Sequence, residues 1–167
     1  SREDLAHSVR QILTRSPGGG VRETVGMDDS PVDRAQPNVG AVSLVGVCID
    51  AADGESVAAF YAGLLGWDIT ASDDNGWFQL HDPDGHIALN IQQEAGYEPP
   101  VWPERSAQQQ KMMHLEIEVQ DLERSLHRAV ALGGVEAPFQ PPDRDRDRLR
   151  VVLDPAGHPL CLFIHGE

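Results

Sequence analysis

The chain has 167 residues, 27 acidic and 13 basic side chains, a formal charge of −14 and two cysteines. That length suits one domain, or two half-domains sharing a core. The charge speaks against a nucleic-acid binder, which presents a basic face, and two cysteines cannot build a disulfide framework. No run approaches the ~20 apolar residues of a membrane span, and no signal-peptide pattern is read, so a cytoplasmic protein without membrane partners is expected. Apolar residues make up 40% of the chain and fall in patterned blocks, which argues for a folded core.

Residues 1–40 read as a leader segment and linker. Leu5, Val9, Ile12 and Leu13 recur at helical spacing, which predicts a short helix over 3–15. Ser16-Pro17-Gly18-Gly19-Gly20 breaks it. These glycines lack the flanking strand, Lys and Ser/Thr of a phosphate loop. The polar stretch 28–40, with Pro31 and Pro37, has linker composition. Met27 is a candidate natural start, which would make 1–26 a remnant or the end of an upstream segment. Residues 41–167 carry 21 acidic and eight basic side chains, so the acidity belongs to the domain expected there.

That domain reads as two similar modules, 41–95 and 112–167, joined by a connector, 96–111. In the first, Leu44-Val45-Gly46-Val47-Cys48-Ile49 is a strand-like block. A helix follows from about Asp53, with Val57, Phe60, Tyr61, Leu64 and Leu65 at helical spacing and Gly66 as its stop. Strands at 67–70 and 77–80 flank the turn Asp73-Asp74-Asn75-Gly76, and Asp82-Pro83-Asp84-Gly85 leads into a strand at 87–91.

The second module repeats the order. Met113, Leu115, Ile117 and Val119 alternate with polar residues in a strand, and Asp121 caps a helix with Leu122, Leu126, Ala129 and Val130 on one face. Gly133 ends it. A short strand near Val135, one at 149–153, the turn Asp154-Pro155-Ala156-Gly157 and a strand at 160–164 complete the set. Each module is β-α-β-β-β, with a sheet face it cannot cover alone, so the two should pack together. The Pro- and Gln-rich connector is longer than a tight turn needs, as lids and partner-contacting arms often are.

The order of motifs resembles the vicinal oxygen chelate superfamily of glyoxalase I, extradiol dioxygenases and bleomycin-resistance proteins. The resemblance is carried by Phe60-Tyr61, Leu64-Leu65-Gly66-Trp67 and Asp82-Pro83-Asp84-Gly85-His86. In the second half it is carried by His114-Leu115-Glu116, Val119, Asp121-Leu122, Ala131-Leu132-Gly133 and Asp154-Pro155-Ala156-Gly157-His158-Pro159. Pro99-Pro100-Val101-Trp102-Pro103 is similar to the small actinobacterial-type glyoxalase-like branch. The resemblance implies an α+β fold over about 42–165, in which two βαβββ modules form a cup-shaped mixed sheet. It also implies four metal-ligand positions facing the cup, ordinarily His, Gln or Glu. Carried over by register, they fall on Gly46, Leu89, His114 and Cys161. Only His114 matches the pattern; Gly46 and Leu89 have no donor atom, and Cys161 is a soft donor. Glu116 shares a strand face with His114. A metal, if any, would fall to His114, Glu116 and Cys161, short of the ordinary set, so no cofactor is expected.

The candidate ligand-binding residues are His114, Glu116 and Cys161 on the cup, Trp77 and Gln79 on one strand face, and Trp102 in the connector. Trp102 is a stacking wall for a flat ligand, or else a dimer contact or core anchor. Acidic and aromatic groups in a concave site suit cationic or flat aromatic small molecules. The resemblance then implies two functions. One is a metal-independent protein that binds and sequesters a toxic or antibiotic compound, with its pocket between the subunits of a homodimer. The other is a metal-dependent lyase, isomerase or dioxygenase, with His114 or Glu116 as a general base in a metal-free variant. An accessory domain of a larger protein is a third, blander reading. Other conspicuous residues read as structural. His86 and His158 follow turn glycines and should cap backbone groups. Cys48 and Cys161 should be buried thiols. The alternating run Asp143 to Arg148 should be a solvated, salt-bridged arm.

Overall fold

The structure, a computed structural model, describes residues 43–165. The expected leader, its helix over 3–15 and Met27 lie outside the described residues. Strand β1 (Gly46–Ala51) leads into helix α1 (Gly54–Leu65). Asp53 stays extended and accepts the Ser56 N–H at 3.1 Å, which satisfies a free donor of the first turn. Gly66 ends α1 in the left-handed region, φ 71°, where a side chain would be strained. Strands β2 (Asp68–Ser72), β3 (Trp77–His81) and β4 (Ala88–Gln93) follow. They form one sheet in the order β1-β4-β3-β2, with β1 parallel to β4 and the other pairs antiparallel.

The second module has the same plan. Strand β5 (Glu116–Glu118), helix α2 (Leu122–Ala131), β6 (Val135–Glu136), β7 (Leu149–Leu153) and β8 (Pro159–Phe163) give the order β5-β8-β7-β6. Asp121 caps α2 by accepting the Arg124 N–H at 3.0 Å. The fold is therefore α+β, two βαβββ modules with two open four-stranded sheets. The strand expected from Met113 shrinks to β5, because the chain turns at 111–113, where Met112 adopts φ 55° and the Met113 N–H donates to the Lys111 carbonyl instead of a neighbouring strand. Pairing begins at Leu115, whose carbonyl accepts the Cys161 N–H at 2.9 Å. His114 stands just ahead of it.

Both helices contribute to one core. Phe60 and Tyr61 pack with Leu80, Ile91, Leu126 and Leu160, each fully buried side chain contributing about 1.5–3 kcal/mol. Arg128 Nε donates to the Gly63 carbonyl at 2.7 Å, holding α2 to the end of α1. Gly134 is needed because the Phe60 ring would lie 2.8 Å from any Cβ there.

One register expectation is corrected. Asp154 N–H donates to the His158 carbonyl, whereas Asp82 N–H donates to the Ile87 carbonyl. The first turn therefore holds one residue more than the second. Ile87 corresponds to His158, and Asn90, not Leu89, corresponds to Cys161. Leu89 is buried in the core, and the open face of β4 carries Ala88, Asn90 and Gln92.

Candidate functional site

The helices cover one face of each sheet, so alternate residues point to the other, open face. In the second sheet the register aligns Glu116 with Cys161, Val151 with Cys161, and Leu149 with Phe163 on that face. A cavity of about 620 Å³ lies over it. Its floor is Leu149, Val151, Pro159, Cys161 and Phe163. The connector supplies Trp102 and Lys111, and the loop before β7 supplies Asp143, Arg144, Asp145 and Arg148.

Trp102 is fixed in place. Its indole N–H donates to the Phe139 carbonyl at 2.9 Å, and its ring meets the Phe139 ring edge-on at 6.2 Å. Lys111 Nζ sits 5.1 Å from the centre of the indole ring and pairs with Glu104 at 2.6 Å. The wall therefore joins the connector to the loop.

At the mouth, His114 Nε2 lies 3.6 Å from Glu116 Oε1. Cys161 is half-buried on the floor. Burial and the Glu116 carboxylate push its thiol up, with Arg144 and Lys111 opposing. Neither cysteine is buried as expected. Cys48 is exposed, on the open face of the first sheet, because both cysteines occupy open-face positions of their strands. Partial burial, Asp50 and Glu94 push its thiol up.

The cavity thus brings together His114, Glu116, Trp102 and Cys161. Trp77 and Gln79 stand on β3 of the first sheet and do not line it. There Gln79 Nε2 donates to Asn90 Oδ1 at 3.1 Å. Sequence reasoning missed Lys111, Arg144, Arg148 and Phe163. Phe163 was legible, since it lies two residues beyond Cys161 on the same strand. The arginines belong to the run expected to be a solvated arm. Arg146 does pair outward with Glu136 at 3.2 Å, while Arg144 and Arg148 line the cavity.

A buried network supports the connector. The fully buried Asp154 accepts the Tyr61 O–H at 3.0 Å and the Ala156 and His158 N–H groups at 2.9 Å each. His158 Nδ1 lies 2.9 Å from Asp154 Oδ2, and its Nε2 lies 3.0 Å from the Tyr97 hydroxyl. Tyr97, at the start of the connector, donates to the Ala156 carbonyl at 2.9 Å. The His158 ring joins two side chains instead of capping backbone, because both Asp154 and Tyr97 face it. His86 is exposed, with Nδ1 3.7 Å from Asp82.

With this geometry in place, the comparisons decide the family. Residues 46–163 match the profile of the glyoxalase-like domain. The chain belongs to the glyoxalase-like domain family. Its fold is similar to a glyoxalase/bleomycin resistance protein from Albidiferax ferrireducens T118, with TM-score 0.51 and 17% identity, over 73% of this chain and 98% of that one. It is also similar to a glyoxalase/bleomycin resistance protein/dioxygenase family enzyme from Burkholderia phytofirmans PsJN, with TM-score 0.52 and 15% identity, over 72% and 97% of the two chains. A possible glyoxalase from Bacillus cereus gives TM-score 0.52 and 16% identity, over 74% and 99%. At such identities the likeness is one of fold. Together with the family match over residues 46–163, it places the chain in the vicinal oxygen chelate superfamily. No curated protein matches it. Among the described residues no helix is long and apolar enough to cross a membrane.

The superfamily implies a divalent metal, which the donors of this glyoxalase-like domain would have to hold. A catalytic site needs about three protein ligands converging on one point. Among the described residues, the one group of three such ligand atoms within 4.8 Å of one another is Asp82, Asp84 and His86, on the turn between β3 and β4. His114, Glu116 and Cys161 do not converge in this way. At Gly46 no donor fits, because a Cβ would stand 2.6 Å from the Ala88 carbonyl oxygen. The donor set does not suit a catalytic metal.

Proposed function

We propose that this glyoxalase-like domain binds a flat, largely apolar small molecule over the second sheet, without a metal, and acts by sequestering it. The observation that carries this reading is the cavity of about 620 Å³, with an apolar floor and the fixed indole of Trp102 as its wall. Its volume falls within the ~300–1,000 Å³ of drug-sized ligand sites. An aromatic ring stacked on Trp102 and resting on Phe163 buries apolar area, and His114 and Glu116 orient a polar substituent at the mouth. The two free thiols suit a reducing cytoplasm. We take the working unit to be a homodimer, in which a second copy covers the open face of the first sheet with Trp77, Gln79 and Cys48.

Calorimetry with 2-naphthylmethanol as a neutral flat probe tests the reading. Micromolar binding is expected, weakened about tenfold or more by Trp102→Ala as the stacking area is lost. Metal analysis after incubation with Ni²⁺, Zn²⁺ and Mn²⁺ should find none at stoichiometric level. A stoichiometric metal that His114→Ala removes would overturn the metal-free reading and favour a lyase, isomerase or dioxygenase.

A further inference from the structure

We propose that the cavity selects a ligand bearing an anionic oxygen group on its flat body, held by Arg144 and Arg148. This rests on the binding reading above and names the polar chemistry of the same site. Composition alone suggests a cationic ligand, because residues 41–167 hold 21 acidic and eight basic side chains. The placement of the cations suggests the opposite. Three of those eight, Lys111, Arg144 and Arg148, line one cavity.

Three acids line it too, so the partners of each charge decide the matter. Asp145 is used within its own loop: its Oδ1 accepts the Asp147 N–H at 2.9 Å. Glu116 faces His114 at 3.6 Å. Lys111 is satisfied by Glu104 at 2.6 Å and serves to hold Trp102. Three other arginines are occupied, while Arg105 and Arg124 lie outside the cavity. Arg150 is buried between Glu123 at 3.0 Å and Glu136 at 3.4 Å, Arg146 pairs with Glu136, and Arg128 holds the Gly63 carbonyl. Arg144 differs: its closest acid is its chain neighbour Asp143, at 4.0 Å. Arg148 makes no ion pair among the described residues. The field of Arg144 reaches the floor, where it opposes the upward push on the Cys161 thiol. Two guanidinium groups with spare donors, beside an apolar floor, match an oxyanion such as a carboxylate or phosphate ester. A ligand ammonium would instead meet Asp145, already bonded within its loop, Glu116, beside His114, and a single further acid, Asp143, set against the two arginines.

Calorimetry on the full chain at pH 7.5 and 50 mM salt separates the cases. Four probes share one ring: 2-naphthoate, 2-naphthyl phosphate, 2-naphthylmethanol and 2-naphthylmethylammonium. At least one anion should bind about tenfold tighter than the alcohol, with the ammonium weakest. The better of the two anions identifies the oxyanion. Raising the salt should shrink the advantage, since the arginines are exposed. The double variant Arg144→Gln/Arg148→Gln, checked for folding by thermal melting, should bring the anion-to-alcohol ratio near one. An ammonium that binds tightest, no preference among the probes, or a ratio that survives the double variant would each overturn the inference while leaving the cavity reading intact. Failure of all four to bind would overturn both.

Discussion

The Tyr61–Asp154 contact offers a sharp test of the packing argument. Tyr61 and the Asp154 side chain are essentially without solvent exposure, and the hydroxyl donates to the carboxylate at 3.0 Å. Tyr61→Phe removes that donor and leaves the ring in place, edge-on to Phe60 at 5.0 Å. No large cavity forms, so the cost is that of one hydrogen bond to a buried charge, about 1.5–3 kcal/mol. Asp154 keeps His158 and two backbone donors, which favours the lower half, about 2 kcal/mol. That corresponds to a melting shift of roughly 5–8 °C for a domain of this size. Urea unfolding followed by circular dichroism should show a lower midpoint at unchanged slope. The pH dependence adds a second signature. Burial and Asp154 raise the Tyr61 phenol well above its ordinary value. The native state then keeps a proton that the unfolded state loses above pH ~10, so stability falls as pH rises through that range. Tyr61→Phe should flatten the alkaline limb by about 1.4 kcal/mol per pH unit. A loss below ~0.5 kcal/mol, or an alkaline limb unchanged by the substitution, would refute the reasoning.

Two further outcomes are expected. Cys161 should be alkylated by iodoacetamide with a midpoint above that of free cysteine, and Glu116→Gln should lower the midpoint and speed the reaction at pH 8, since the carboxylate helps to push the thiol up. Cys48→Ser isolates the signal, and a Glu116→Gln profile identical to that of its parent would contradict the electrostatic account. Gly46→Ala should destabilise the domain by about 1–3 kcal/mol through its clash with the Ala88 backbone, and a urea midpoint within error of the parent would show that β1 and β4 can separate at no cost.

The modules were legible because local chemistry marks them twice. Asp53 and Asp121 cap helices, Gly66 and Gly133 follow their ends, and the paired Asp-Pro-x-Gly turns precede the last strands. Leu89 was misplaced because a motif count treats the two turns as equal, and one residue of turn length reverses the face of every strand position after it. His114 and Cys161 were found through the superfamily resemblance and Glu116 through strand alternation, which places Phe163 beside Cys161 as well. Arg144 and Arg148 escaped notice because alternating charge describes a solvated segment without saying what it folds over. Trp102 was conspicuous, but its hydrogen bond to Phe139, 37 residues away, is a tertiary fact that composition does not encode.

That hydrogen bond has a consequence for how recognition can be tuned. Trp102 is at once the surface an aromatic ring would lean on and the strut that holds the loop carrying Arg144 and Arg148. Hydrophobic grip and charge selectivity then share one mechanical part. A substitution that reshapes the wall also displaces the arginines, so the two contributions to affinity should be strongly non-additive. Ligand preference in this domain would change by coordinated steps in the connector and the loop, not by adjusting either one alone.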